Sequence, residues 1–257
     1  MTRLLILLFV FCLQGIYCQN VGYKFIENKN QWPENVAFKT DLKSGYLYIE
    51  KDGFLFDLYD AHAVNKYIKN HHLKESSFDK SNLKWHSYKI DFINRNKDAL
   101  LEGSFETPEY YNYFIGSNPS KWGEKAKGYF NINYTDLYKG IDLKIYSKLF
   151  NLKYDITIRP SGEISNIQLK YKGADKLEIK NGRLHIFTSV NHVIEDKPYA
   201  YQIINGQTIE VICLYKLIDN HLSFETPNGY NKNYDLIIDP TLIFSTYSGS
   251  FSNNFGY

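Results

Sequence analysis

The side chains best suited to acid–base chemistry in this sequence are Asp57, Asp60, Asp142, Asp155, Asp235 and Asp239. Glycoside hydrolysis needs two carboxyl groups across a cleft, about 5–10 Å apart, and position along the chain brings no pair of these to that separation. Asp142 alternates with Ile141 and Leu143, which turns it to the outward side of a strand, and Asp239 precedes Pro240 as a turn-capping carboxylate would. Solvated or turn-forming acids are the simpler reading. The 7 histidines include His62, His71, His72 and His185 but no His-x-x-x-His pair, and neither a Cys pair nor an Asp-rich calcium loop accompanies them. Adjacent His71 and His72 point to opposite sides of an extended segment, and His185 alternates outward between Leu184 and Ile186. A glycine-rich phosphate loop, a nucleophile elbow and a zincin helix are all missing from the sequence. The sequence thus offers no catalytic residue, metal ligand or cofactor site.

Thiol chemistry is equally thin. Cys12 and Cys18 fall in an apolar N-terminal segment, which leaves Cys213 alone and without a disulfide partner. It shares a side with Ile209, Val211 and Tyr215, the setting of an inert core thiol. The aromatics point to stacking instead of reaction. Trp85 and Trp122, among 23 tyrosines, are the candidate ligand-stacking residues. Trp32 and Trp122, each in a Pro-containing loop segment, serve equally well as covers for the end of a core. Asn133-Tyr-Thr135 matches a glycosylation acceptor, a pattern short enough to arise by chance.

The elements that must position these groups are strands. Ile141–Ser147, Ile167–Tyr171 and Leu177–Ile179 alternate apolar and polar residues cleanly. Tyr46–Glu50, Phe54–Tyr59, Tyr88–Ile93, Leu152–Ile158, Leu184–Thr188 and Leu236–Thr241 read the same way. Asp52-Gly53, Asn181-Gly182 and Asn205-Gly206 supply the residues that tight hairpins require. No stretch carries a helical stripe, so the fold class is all-β. Residues 61–84, polar and charged, read as a long surface excursion.

Residues 1–18 have the pattern of a signal peptide: Arg3, then the apolar run Leu4–Leu13, then a polar Gln19-Asn20. The run is shorter than the roughly 20 residues a membrane span needs. Export is the expectation, to the extracellular space or the outer cell surface. Lys and Arg number 30 against 28 Asp and Glu, and Arg3 leaves with the leader. A nearly neutral chain without a dense basic stripe argues against a nucleic-acid partner.

The mature chain divides into two β-sandwich-like halves, 19–117 and 129–240, around a connection at 118–128. Ser104-Phe-Glu-Thr-Pro108 recurs as Ser223-Phe-Glu-Thr-Pro227, which fits an internal duplication or a chance repeat of a turn-like pentapeptide. Phe251–Tyr257 resembles the entry to a propeller-like repeat, and by that resemblance residues 241–257 are expected to be the start of a truncated one, since a single strand without partners cannot bury its apolar face.

Several segments resemble one family: Phe25–Pro33, Tyr138–Tyr146, Leu152–Asp155, Gly173–Asp175, Glu195–Gln202 and Ile238–Gly249. It is an N-terminal all-β domain of unknown function in exported Bacteroidetes proteins. There it precedes propeller-like (SBBP-type) repeats and often a gliding-motility or sorting C-terminal domain. The resemblance implies a non-catalytic extracellular β-domain of a larger secreted or cell-surface protein, serving adhesion, assembly or display. Its implied partners are a downstream propeller-like domain and a surface glycan or protein. A carbohydrate-binding module or polysaccharide-acting hydrolase is the alternative.

Overall fold

The computed structural model describes residues 22–65, 83–148 and 151–245. The leader 1–18, Cys12, Cys18, His71, His72 and the tail beyond residue 245 lie outside them. The chain is built from strands. β1 (Phe25–Glu27), β2 (Val36–Leu42), β3 (Gly45–Glu50), β4 (Gly53–Tyr59) and β5 (Trp85–Phe92) run as an antiparallel meander. β6 (Leu100–Tyr113) and β7 (Gly123–Tyr138) form a long ribbon, followed by β8 (Ile141–Lys148) and β9 (Asn151–Ile158). Short strands follow: β10 (Leu169–Lys172), β11 (Lys176–Lys180), β12 (Arg183–Phe187), β13 (His192–Glu195), β14 (Tyr199–Ile204) and β15 (Gln207–Val211). The last are β16 (Leu214–Ile218), β17 (His221–Glu225), β18 (Leu236–Asp239) and β19 (Thr241–Ser245).

All 19 strands of the described residues belong to one antiparallel sheet, nearly closed and barrel-like. The expected halves are therefore carried on a single sheet. β1 pairs with β7 and β5 with β10, so the ladder crosses the connection between them. Within residues 118–128, a single 3-10 turn spans Pro119–Lys121 and Gly123 already opens β7. The repeated pentapeptide occupies two settings: Ser104–Pro108 lies inside β6, while Ser223–Pro227 ends β17 and enters a turn. Residues 61–65 form a helical turn, and residues 66–82 of the expected excursion are outside the described chain.

The period-two segments place their apolar side chains inward, as in Ile141, Leu143 and Ile145 of β8 and Leu152, Ile156 and Ile158 of β9. Burial of this alternating face is the main driving force for closing the sheet. The Asn-Gly turns behave as their chemistry requires. Asn181 and Gly182 have φ of 53° and 76°, Asn205 and Gly206 51° and 79°, the two left-handed residues of a hairpin turn that matches strand twist. β18 and β19 are one strand interrupted at Pro240, which has no N–H to donate. Ile156 opposes Ile238 and Lys153 opposes Thr241, so β9 pairs with both pieces in unbroken register.

The interior is packed. A cavity of about 30 Å³ remains among Leu47, Phe56, Leu143, Tyr171 and Glu195. That is room for a water or two, far below what an organic ligand needs.

Candidate functional site

The outward face of β2 to β5 gathers aromatic rings. Alternation sends Lys39 and Asp41 of β2, Tyr46 and Tyr48 of β3, Asp57 and Tyr59 of β4, and Trp85 and Ser87 of β5 to this side. Trp85 and Tyr46 lie nearly parallel, 16° apart with centroids at 6.2 Å, and Tyr59 meets Trp85 edge-on at 5.0 Å. Trp85 is 49% exposed, a large ring on a folded surface that could have buried it. The Lys39 ammonium sits 3.7 Å from the Tyr46 ring centre and 5.7 Å from those of Tyr48 and Trp32. This cation–π seat holds the lysine against the surface. Asp41 offsets its charge at 3.3 Å.

Cross-strand register gives the face its polar pattern. Asp41 opposes Tyr46, Tyr46 opposes Asp57, and Asp57 opposes Ser87. Tyr46 is thus flanked by a carboxylate on either side, about 10 Å apart by strand spacing. Ser87 Oγ donates to Asp57 Oδ1 at 2.8 Å. The Asp41 side chain is 80% exposed and open to a ligand. Burial pushes the Tyr48, Tyr59 and Tyr113 hydroxyls above their ordinary value, so they remain protonated donors.

Beside this face the end of β6 forms a second wall. Trp32, Tyr111 and Tyr113 face Lys24, Lys39 and Asp41 around an open groove of about 410 Å³. Trp32 meets Tyr113 edge-on at 5.3 Å. Lys24 is ion-paired with Glu109. The face and groove are continuous through Trp32, Lys39 and Asp41.

The structure separates the two tryptophans singled out by sequence. Trp85 is on the face; Trp122 is at the β6–β7 hairpin tip, its indole N–H donating to the Gly116 carbonyl at 3.1 Å and its ring edge-on to Phe114 at 5.3 Å. Sequence reasoning named Asp57 among the acids but overlooked Lys39 and Asp41. The signal was there in the alternation Lys39-x-Asp41 and Tyr46-x-Tyr48.

Of the other candidate acids, Asp60, Asp142, Asp155 and Asp239 are engaged. Asp142 holds the Arg159 guanidinium together with Asp136, and accepts the Asp136 N–H at 2.7 Å. Asp60 accepts the His62 and Ala63 N–H groups at 2.9 and 3.0 Å. Asp235 is exposed ahead of β18. Asp239 pairs with Lys153 at 2.7 Å in place of capping a turn. Continuing the β9–β18 register sets it opposite Asp155, which accepts from Tyr146 at 3.1 Å. Burial, and then Asp239, push the Asp155 carboxyl up. His185 lies on the outward side, its Nδ1 3.0 Å from Nε2 of His192. No cluster of three or more His, Cys, Asp or Glu among the described residues is arranged to hold a metal ion. Cys213 is buried, and that burial pushes its thiol up to about 12.

A carboxyl group lies wholly inside, among buried tyrosines. Glu195, missed at the sequence level although it alternates inward with Val193, has both Tyr154 and Tyr215 donating to its Oε1, the latter at 2.6 Å. Burial outweighs these hydrogen bonds and pushes its carboxyl up to about 7.

Comparison with known families matches residues 25–241 to a domain of unknown function (DUF7948), and the chain belongs to that family. Searches of curated proteins and of solved structures find no match.

Proposed function

Taking that membership as the premise, we propose that the chain is an exported, non-catalytic recognition domain whose working surface is the aromatic face of β2 to β5. The observation that carries this reading is the Tyr46–Trp85–Tyr59 platform, joined through Lys39 to the Trp32–Tyr113 groove. Large rigid rings left on a surface bind by contact, with little entropy lost on association. Export rests on the leader pattern of residues 1–18 and the resemblance to exported Bacteroidetes proteins. A place ahead of propeller-like repeats in a larger secreted or surface protein rests on the resemblance alone. Adhesion, assembly or display would follow from attachment through this face.

The test is retention on the outer surface of the producing cells. Labelled purified chain should be retained, and the Tyr46→Ala/Trp85→Ala variant, with unchanged circular dichroism, should wash off. Equal retention of the two proteins would refute the assignment of the face.

A further inference from the structure

We infer that the ligand of the aromatic face is a neutral glycan, with a sugar ring stacked on the exposed Trp85, which Tyr46 backs, and its hydroxyls donating to Asp57 and Asp41. The inference rests on the recognition role proposed above and supplies the ligand class. Three kinds of ligand stack on exposed aromatic rings, and the polar groups around the rings tell them apart.

Nucleic-acid bases would stack as well as sugars do, but a nucleic acid needs cations free to neutralise phosphates. Lys39 is neutralised by Asp41, and Lys24 by Glu109. Further along the face Lys89 lies 2.8 Å from Glu50 and 3.4 Å from Asp91, which also takes Lys172 at 2.5 Å. With Asp57 added, a polyanion would be repelled. A proline-rich segment would fit an aromatic groove, yet its prolines bring no N–H and its backbone offers chiefly carbonyl acceptors. Such a ligand would leave Asp41 and Asp57 facing acceptors.

A pyranose meets both requirements. Its C–H face is apolar and flat enough to lie on a ring, and its hydroxyls radiate sideways as donors. The cross-strand row Asp41–Tyr46–Asp57 sets acceptors beside the Trp85 ring that Tyr46 backs. The groove beside it continues the pattern, with Trp32 and Tyr113 as wall and Asp41 at the rim. The binding track therefore runs from Trp85 across Tyr46 to Trp32, and a chain of sugars rather than a single one fits it.

Affinity electrophoresis of the exported chain through gels containing a soluble glucan, a mannan or a xylan, with alginate as the anionic comparison, tests this. Retardation is expected in at least one neutral gel and should persist from about 0.05 to 0.5 M salt, because the attraction is not between net charges. Trp85→Ala and Tyr46→Ala should each weaken it about tenfold or more. Asp57→Asn should weaken it severalfold, and Trp122→Ala should leave it unchanged. Retardation by alginate alone, abolished by salt, would overturn the neutral class. Absence of retardation in every gel, with Tyr46→Ala/Trp85→Ala still losing cell-surface retention, would refute the glycan while leaving the recognition face standing. If the double variant also kept its retention, both readings would fail.

Discussion

Replacing Glu195 by Gln should shift stability in favour of the variant by an amount that grows with pH. The carboxyl is buried among Tyr154, Tyr171 and Tyr215, and its proton affinity is raised from the ordinary 4.5 to about 7. Below pH 4.5 it is neutral in both the folded and unfolded chain. As pH rises from there to about 7, the unfolded chain gives up the proton while the folded chain keeps it, so stability falls. Above pH 7 the folded carboxyl ionises too, and the loss levels off. At about 1.4 kcal/mol per tenfold in proton affinity, the plateau is about 3 kcal/mol. Glutamine keeps an oxygen for the Tyr154 and Tyr215 hydroxyls and cannot ionise. Its amide N–H groups need acceptors, and any shortfall of about 1–3 kcal/mol is the same at every pH. The diagnostic is therefore the slope. Urea midpoints of Glu195→Gln and the parent, compared at pH 4 to 8, should diverge by about 3 kcal/mol in favour of the variant, with the m-value unchanged. A gap that stays constant or narrows as pH rises would refute the assignment of a costly buried carboxylate.

Asp155→Asn should stabilise the protein by up to about 1 kcal/mol at neutral pH by removing the like charge opposite Asp239. That gain should vanish in acid, where the raised Asp155 carboxyl is already protonated, and urea titrations at two pH values read both. Lys39→Met keeps the apolar stem but loses the cation seated on Tyr46, and chemical denaturation should show a loss of about 0.5–1 kcal/mol. Gly206→Ala meets no atom within 4 Å, so its cost is the backbone alone at φ +79°; thermal melts should register about 1–2 kcal/mol. Cys213, buried and pushed up to about 12, should resist iodoacetamide in the native protein and react promptly once urea unfolds it. Rapid native labelling would contradict its placement.

Much of the strand content was legible because inward and outward side chains alternate. Ile141–Lys148 and Asn151–Ile158 are strands for the reason visible in the sequence, and their partners are neighbours along the chain. The β6–β7 ribbon was harder. Pro108, Gly116 and the bulges after Glu106 and Tyr111 break the alternation, while pairing across the ribbon holds Gly123–Gly128 in β7 despite the left-handed Lys125. The closure of one sheet was not legible, because β1 with β7 and β5 with β10 join segments far apart in sequence with no local turn to announce them. The face was half legible. Trp85 stood out by type, but its neighbours Tyr46 and Tyr59 come from other strands, and only cross-strand register brings Asp41 and Asp57 to either side of Tyr46. Glu195 shows the cost of reading chemistry by residue type alone: the period of its strand turned it inward, among rings.

The outermost strands of the described chain are not at the sheet's margins. β1 is held between β2 and β7, and β19 between β13 and β9. A mechanical load applied through either end of the domain must therefore shear two ladders at once instead of unzipping one. Tension at either end would be borne along the strands by both ladders together, and the aromatic face on β2 to β5 would keep its shape while they hold.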